Sequence, residues 1–470
     1  MAKKKDDNTV QRVEKHIINE NHELYKLLNH YTFLSKNLYN YANYQLRQVF
    51  ILTSKLKEDK EITFEQHEYL NAINAKVDKF NELREVNFQK AKQRAIEQGK
   101  ELNKKLKLIN YFNENNKYLG YDFLEYLVKD GIDYKSLMAQ VSQQTLKLLD
   151  KNWISFFESI KDWSKHKEKY NGRPKLPNYK KKNGKNILVF TNQNCKQKER
   201  YIQFPQCFNK YELKTNINGK LQQVRILPRN KHYVIEVIYK IEKKEKLNDN
   251  GKYISIDVGL DNFATVVNNI GLKPIIINGK GLKSINKYYN KKLSYYKEIA
   301  KRMNNLDYTN RMNRLTIKRN NKIADFIHKA SKKVIDYALK NNINTIIVGN
   351  NKDWKRKSNM SKVVNQSFIG IPHQEFINKL IYKCENVGLS IIITEESYTS
   401  GTSFLDNELP IKENYNKKRR VYRGLFVSNN GIKINADVNG AYQIMRKVFS
   451  NVKADEIEGI GLSPIRVNVS

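Results

Sequence analysis

Tyr253-Ile-Ser-Ile-Asp257-Val-Gly-Leu-Asp-Asn-Phe-Ala-Thr-Val266 is the stretch on which the fold of this chain turns. Tyr253–Val258 is a short β-branched, apolar run closed by Gly259, which reads as a buried strand. One carboxylate, Asp257, sits inside it. A charge in such a place is costly unless it is paired or holds a cation.

Downstream, Phe263–Val267 and Pro274–Ile277 read as two more closely spaced strands. A Lys- and Tyr-rich helix follows near 282–303, and another covers about 310–340, where Ile323, Phe326, Ile327, Ala330, Val334 and Ala338 form one apolar stripe. Then come a strand at Thr345–Val348, a helix from Pro372 to Glu385, a strand at Leu389–Thr394, and a last helix from near Asp437 through Ala441, Ile444 and Val448. Strands first, then alternating helix and strand, predict a mixed sheet flanked by helices, an α/β domain of ribonuclease H type.

Upstream, Thr9–Ile17 reads as one strand, and from residue 23 the period changes. Leu24, Leu28, Tyr31, Leu34, Leu38, Ala42, Leu46 and Phe50 mark a long amphipathic helix whose other face carries Lys36, Asn37, Asn40 and Arg47. Helical spacing continues to about 166, most clearly through Leu146, Leu149, Trp153, Phe156, Ile160 and Trp163. A basic stretch then runs from Lys165 to Lys185 and includes Arg173, Lys175, Lys180 and Lys181, punctuated by Gly172, Pro174 and Pro177. Residues 187–241 read as an antiparallel, barrel-like β-domain that the strand at 9–17 would complete, leaving the helical block as an insertion. Lys243–Gly251 is a charged linker.

The chain has 470 residues, about three domains at roughly 150 each, and its 86 Lys+Arg against 48 Asp+Glu leave a net charge of +38. With 40% hydrophobic and 11% aromatic residues it is too rich in core formers for a disordered basic tail. Such a charge on a folded chain predicts a polyanionic partner, nucleic acid, bound with steep salt dependence. An AT-rich coding bias explains the Asn and Ile content, but not the lag of Asp and Glu. No apolar run approaches the roughly 18 residues of a membrane span, and the start has no signal-like stretch, so a cytosolic protein without a membrane partner is expected. Cys195, Cys207 and Cys384 are too few and too far apart for a disulfide framework or a four-cysteine zinc site.

A metal-dependent nuclease needs hard oxygen ligands converging on one point. The candidates at strand ends and helix starts are Asp257, Glu395, Glu396 and Asp437. Taken singly, each has an ordinary reading: a satisfied buried aspartate, a solvated loop acid, a helix N-cap.

Taken with their surroundings, Asp257 and its flanks at 253–266 resemble the first RuvC motif of TnpB, the transposon-encoded RNA-guided nuclease related to type V CRISPR effectors. Tyr398-Thr399-Ser400 and Asn435-Ala436-Asp437-Val438-Asn439-Gly440-Ala441 resemble the later motifs in the same order. Lys36-Asn37-Leu38-Tyr39-Asn40 and Gly172-Arg173-Pro174-Lys175-Leu176-Pro177 resemble the amino-terminal half. The resemblance implies a multidomain α+β and α/β protein: a wedge-like β-barrel domain with its first strand at 1–18 and the rest at 167–246, and a helical recognition domain inserted at 19–166. A RuvC-like nuclease domain follows at 247–398 and 427–451, interrupted by a basic insertion at 399–426 and followed by a tail at 452–470.

The resemblance further implies two Mg²⁺ ions held by Asp257, Glu396 and Asp437, a guide RNA, a target double-stranded DNA recognised beside a short motif, and a prokaryotic cytosol or nucleoid location. A monomer is preferred to an oligomer. A compact CRISPR effector, or an RNA-guided repressor that binds without cutting, would carry the same motifs. A generic basic RNA-binding protein is the reading outside this class.

Two departures matter. The family's second catalytic glutamate ends a strand where this chain has Val348-Gly349-Asn350, so the ligand is reassigned to the end of the next strand, with Glu396 preferred to Glu395. The insertion at the usual zinc-module position holds no cysteine, so no structural zinc is expected; it offers Lys412, Lys417, Lys418, Arg419, Arg420 and Arg423 instead. The expected nucleic-acid contacts are Lys36, Asn37, Tyr39, Asn40, Arg47, Arg173, Lys175, Lys180, Lys181, Tyr398, Arg419 and Arg420. Among the tyrosines of the first helix, Tyr31 and other periodic ones read as core, and Tyr39 and Tyr41, off the stripe, as base contacts.

Overall fold

The computed structural model describes residues 8–102, 105–351, 370–422, 424–454 and 463–469. They form two compact units that divide between Glu242 and Lys243.

In the first unit, β1 (Thr9–Asn19) pairs antiparallel with β7 (His232–Glu242) along its whole length, from Thr9 opposite Glu242 to Asn19 opposite His232. With β6 (Lys220–Arg229) and β2 (Leu188–Thr191) these strands make a sheet of order β1-β7-β6-β2. The helices α1 (Leu24–Lys57), α2 (Phe64–Glu97), α3 (Tyr121–Val128), α4 (Ile132–Lys135) and α5 (Ala139–Lys165) all lie in the chain between β1 and β2. The barrel expectation needs correction. Among the described residues β1 and β2 are free edges, and β3 (Lys196–Gln197), β4 (Tyr201–Gln203) and β5 (Glu212–Lys214) form a separate antiparallel sheet. One core joins helices and strands: Leu28, Leu38 and Leu46 of α1 meet Leu146, Leu149 and Trp153 of α5, and Ile226, Ile235 and Val237 of the sheet.

In the second unit, β8 (Tyr253–Val258), β9 (Asn262–Asn268), β10 (Ile275–Asn278), β11 (Thr345–Gly349) and β12 (Ser390–Thr394) join a sheet of order β12-β11-β8-β9-β10. The three strands β8, β11 and β12 are parallel, and β9 is antiparallel to both neighbours, the strand order of ribonuclease H. The helices are α6 (Lys280–Asn304), α7 (Asn310–Lys340), α8 (His373–Val387) and α9 (Ala436–Val448); a small hairpin pairs β13 (Leu425–Val427) with β14 (Lys433–Asn435). A sixth strand, β15 (Ile465–Val467), lies parallel to β10 at the sheet edge. The segment read as a tail thus returns to the sheet.

The period of two along β8 decides what faces where. Ile254, Ile256 and Val258 enter the core shared with Ile323, Ile327 and Val334 of α7 and Phe376 and Leu380 of α8. The alternate residues face α9: Tyr253 stacks on Phe449, ring centroids 3.9 Å apart, and Ser255 Oγ donates to Ala441 O at 2.5 Å. Asp257 is the next residue on that face, at the end of the strand. No described helix is long and apolar enough to cross a membrane.

Candidate functional site

The parallel strands β8, β11 and β12 end at one edge of the sheet, where open α/β sheets bind ligands. There a cleft of about 880 Å³ is lined by Asp257, Glu396 and Asp437 together with Asn262, Lys280, Tyr398, Arg420 and Arg466.

Asp437 enters from the first turn of α9. The cap of that helix is Asn435, whose Oδ1 accepts from the backbone N–H groups of Asp437 at 3.0 Å and Val438 at 3.2 Å. The carboxylate of Asp437 is therefore released from capping. Its Oδ2 accepts from Asn262 Nδ2 at 2.6 Å and its Oδ1 from Arg420 Nη2 at 3.2 Å. α9 approaches β8 closely because residue 440 is glycine: a Cβ there would lie 3.0 Å from Asp257 Oδ2.

Glu396 is delivered by a turn just beyond β12. Thr399 Oγ1 donates to Glu396 O at 2.8 Å, and Lys447 Nζ of α9 donates to Ser397 O at 3.1 Å and Ser397 Oγ at 3.0 Å. Tyr398, between them, is held at φ +67°, a conformation that non-glycine residues seldom adopt outside constrained sites. Glu396 Oε1 is buried without a hydrogen-bond partner among the described residues. Glu395 points the other way; its side chain is 65% exposed and 3.9 Å from Lys447 Nζ.

Burial first, and then the neighbouring Glu396 and Asp437 carboxylates, push the Asp257 pKa well above the ordinary range. Burial likewise pushes Glu396 up to about 7, against the pull of Lys447. Charged oxygens crowded in this way fit a cation. Among the described residues no three His, Cys, Asp or Glu side chains are grouped as they would be around a bound metal ion, and Asp437 is engaged with Asn262 and Arg420. The donor set, all hard oxygen with one orphaned buried acceptor, fits Mg²⁺.

The insertion after the Tyr-Thr-Ser segment is held by polar residues of α9. Asn439 accepts from Phe404 N at 2.9 Å and donates to Thr402 O at 2.8 Å; Arg446 Nη1 donates to Phe404 O at 3.0 Å, and Gln443 Nε2 to Glu408 O at 3.0 Å. Arg419 pairs with Glu408 at 2.5 Å, both side chains under a fifth exposed. One expectation is corrected here: Arg419, expected as a nucleic-acid contact, is taken up in an internal ion pair. Arg420 faces Asp437 in the cleft. Arg423 lies outside the described residues.

In the first unit the basic segment after α5 is fastened to α1. Lys36 Nζ donates to Lys182 O at 2.8 Å, Asn40 exchanges two bonds with the backbone of Lys180 at 2.8 and 2.9 Å, and Asn43 Nδ2 and Arg47 Nη1 both donate to Pro177 O. Lys36 and Tyr39 are 5% and 2% exposed, so neither presents its head group to a strand; Asn152 donates to the Tyr39 hydroxyl. Both are corrections to the expected contact set. A helix face that looks polar in sequence is here the seat of a loop. Asn37 is half-buried, and Arg173, Lys175, Lys180 and Lys181 are exposed. Asn43, Asn262 and Arg466 were missed: nothing in their spacing separates them from other polar residues.

Residues 236–355 match a family model described as a probable transposase, OrfB of IS605. Residues 373–444 match the Cas12f1-like TNB domain. No curated protein matches. Among solved structures, a Cas12f1 complex with guide RNA and target DNA is 14% identical, covers 92% of this chain and 98% of its own, and has a TM-score of 0.33. A second Cas12f ternary complex is also 14% identical, at coverages of 93% and 98% and a TM-score of 0.34. A Cas12i complex is 12% identical over 78% of this chain and 56% of its own, with a TM-score of 0.31. Two family models thus match in order, one over Asp257 and one over Asp437, and the chain resembles a TnpB-like RNA-guided nuclease, with segments similar to the IS605 OrfB probable transposase and to the Cas12f1-like TNB domain.

Proposed function

We propose that this protein is an RNA-guided DNA endonuclease of TnpB type that hydrolyses target DNA beside a short motif, leaving a 5′-phosphate and a 3′-hydroxyl. The observation that carries this reading is the meeting of Asp257, Glu396 and Asp437 in one cleft, with a buried carboxylate oxygen that has no hydrogen-bond partner among the described residues. These three side chains would hold two Mg²⁺ ions, which when bound make water a nucleophile and stabilise the leaving oxygen. Asn262 and Arg420 orient Asp437, and the Arg420 guanidinium, facing the same cleft, offers a charge to the scissile phosphate. Base pairing with a guide RNA supplies sequence recognition, so the protein needs little direct readout beyond the motif. In this reading the first unit is the wedge-like and recognition part, and exposed Arg173, Lys175, Lys180 and Lys181 contact phosphates.

The test is to purify the protein with the RNA that accompanies it when expressed with its native flanking DNA, and to assay Mg²⁺-dependent cutting of matched DNA. Cleavage lost in Asp257→Ala and Asp437→Ala, with RNA binding kept, supports the reading. Guided binding without cutting makes the protein a repressor; neither binding nor cutting removes the proposal.

A further inference from the structure

The carboxy-terminal strand reaches the cleft. β15 is parallel to β10, with Arg466 beside Ile276, and it is pinned by Ile465 N donating to Pro274 O at 2.8 Å and by Asn278 Nδ2 donating to Asn468 Oδ1 at 2.9 Å. Ile275 and Ile277 face the α7–α8 core, so the rung of Ile276 and Arg466 lies on the opposite face, that of Asp257 and α9. From there Arg466 Nη1 donates to Asn262 Oδ1 at 3.2 Å, and Asn262 Nδ2 donates to Asp437 Oδ2 at 2.6 Å.

We infer that Arg466 and Asn262 form a positioning relay that aims the Asp437 carboxylate, making the C-terminal strand a working part of the site. The chemistry allows only one arrangement. A guanidinium cannot accept and a carboxylate cannot donate, so the Asn262 amide must turn its oxygen to Arg466 and its NH₂ to Asp437. A flipped amide would break both bonds. With the amide fixed, Asp437 Oδ2 has one direction, and its other oxygen is met by Arg420. β15 has three residues and Ile465 is half-exposed, so the strand buries little apolar surface; its effect should be read in the site more than in stability.

This inference rests on the nuclease reading, and the experiment separates the two. The full chain with its guide RNA is prepared as wild type, Arg466→Ala, Arg466→Lys and Asn262→Ala. Mn²⁺ affinity is measured by electron paramagnetic resonance, cleavage as a single-turnover rate at saturating target, target affinity in EDTA, and folding by thermal unfolding. Second-sphere partners typically carry 10–100-fold in affinity or activity. Both alanine variants should lose about tenfold or more in Mn²⁺ affinity and in rate, with target affinity within about twofold of wild type. Lysine, which can still donate to Asn262 Oδ1, should recover part of the loss. Wild-type Mn²⁺ affinity in Arg466→Ala overturns the relay while leaving the nuclease reading intact. Weakened target binding at unchanged Mn²⁺ affinity also overturns it, by making Arg466 a phosphate contact. Should Arg466→Ala fail to fold, the Asn262→Ala and lysine arms decide. A wild-type protein that neither cuts nor binds Mn²⁺ removes the nuclease reading, and the relay with it.

Discussion

Gly349 and Glu396 claim one volume: a Cβ built on Gly349 would lie 2.7 Å from Glu396 Cγ and 2.9 Å from Glu396 Oε1. β11 and β12 run parallel with Gly349 beside Thr394, so a carboxylate two residues past β12 can fold back over the end of β11. Under the proposed reading, Glu396 supplies from beyond β12 the carboxylate that the resemblance places at the end of β11, and the glycine leaves the space that side chain occupies.

The two positions should therefore be coupled. Gly349→Ala, which also crowds Ile444 Cδ1 at 2.6 Å, should cut the cleavage rate about tenfold or more by displacing Glu396. Gly349→Glu alone should be worse. Combined with Glu396→Ala it should recover activity over Gly349→Glu, since residues sharing a volume are non-additive. Single-turnover rates of the three variants check this; purely additive losses would refute the shared-volume account.

Glu396 and Glu395 should behave differently although they are adjacent. Glu396→Gln should lower cleavage by roughly 10²-fold or more, as expected for losing a charged group at a reacting centre, whereas Glu395→Gln should stay within about twofold because its carboxylate is solvated. Cleavage rates at saturating Mg²⁺ decide, and a fully active Glu396→Gln protein would reverse the assignment.

Stability should carry the mark of the same carboxylate. Its pKa is 4.5 when unfolded and about 7 when folded, so the folded state binds the proton more tightly and unfolding releases it between those values. Stability of the metal-free protein then falls as pH rises from about 4.5 to 7. Glu396→Gln removes this term. It should be more stable than wild type at pH 8 in EDTA, by on the order of 3 kcal/mol and so with a higher unfolding temperature, and match it near pH 4. Equal curves at both pH values would show that the carboxylate is not held protonated by burial.

The bonds from α1 to the basic segment make a prediction for the first unit. Asn40→Ala removes two hydrogen bonds to the Lys180 backbone, and Arg47→Ala one of the two that Pro177 O accepts from α1, at a cost near 1 kcal/mol per bond. The segment carrying Lys175, Lys180 and Lys181 should be cut by trypsin several times faster in these variants, and RNA affinity should drop with it. Unchanged proteolysis alongside weakened RNA binding would instead make Asn40 and Arg47 direct contacts.

Long periodic elements were legible from the residues alone: the α1 stripe from Leu24 to Phe50, the α7 stripe, and the β8 run all appear where the pattern puts them. The short strands β3, β5, β13, β14 and β15 did not show, because two or three residues hold no period. Tyr39 misled for a related reason. It lies off the Leu stripe, yet α5 and the basic segment cover that flank too, with Asn152 on its hydroxyl and Lys180 4.9 Å above its ring. A helix buried on more than one side loses the clean boundary between faces from which burial is read.

Which residues carry charge, and which acids close an apolar strand or open a helix, is a property of the chain order, and it put forward a basic protein with Asp257, Glu395, Glu396 and Asp437 as candidates, among which the family resemblance preferred Glu396 to Glu395. Which oxygen meets which donor is not. Asn262 reaches Asp437 across 175 residues and Arg466 reaches Asn262 across 204. Such contacts arise only when strand register and helix approach bring distant backbone together, since a hydrogen bond depends on distances of tenths of an ångström that no local pattern encodes.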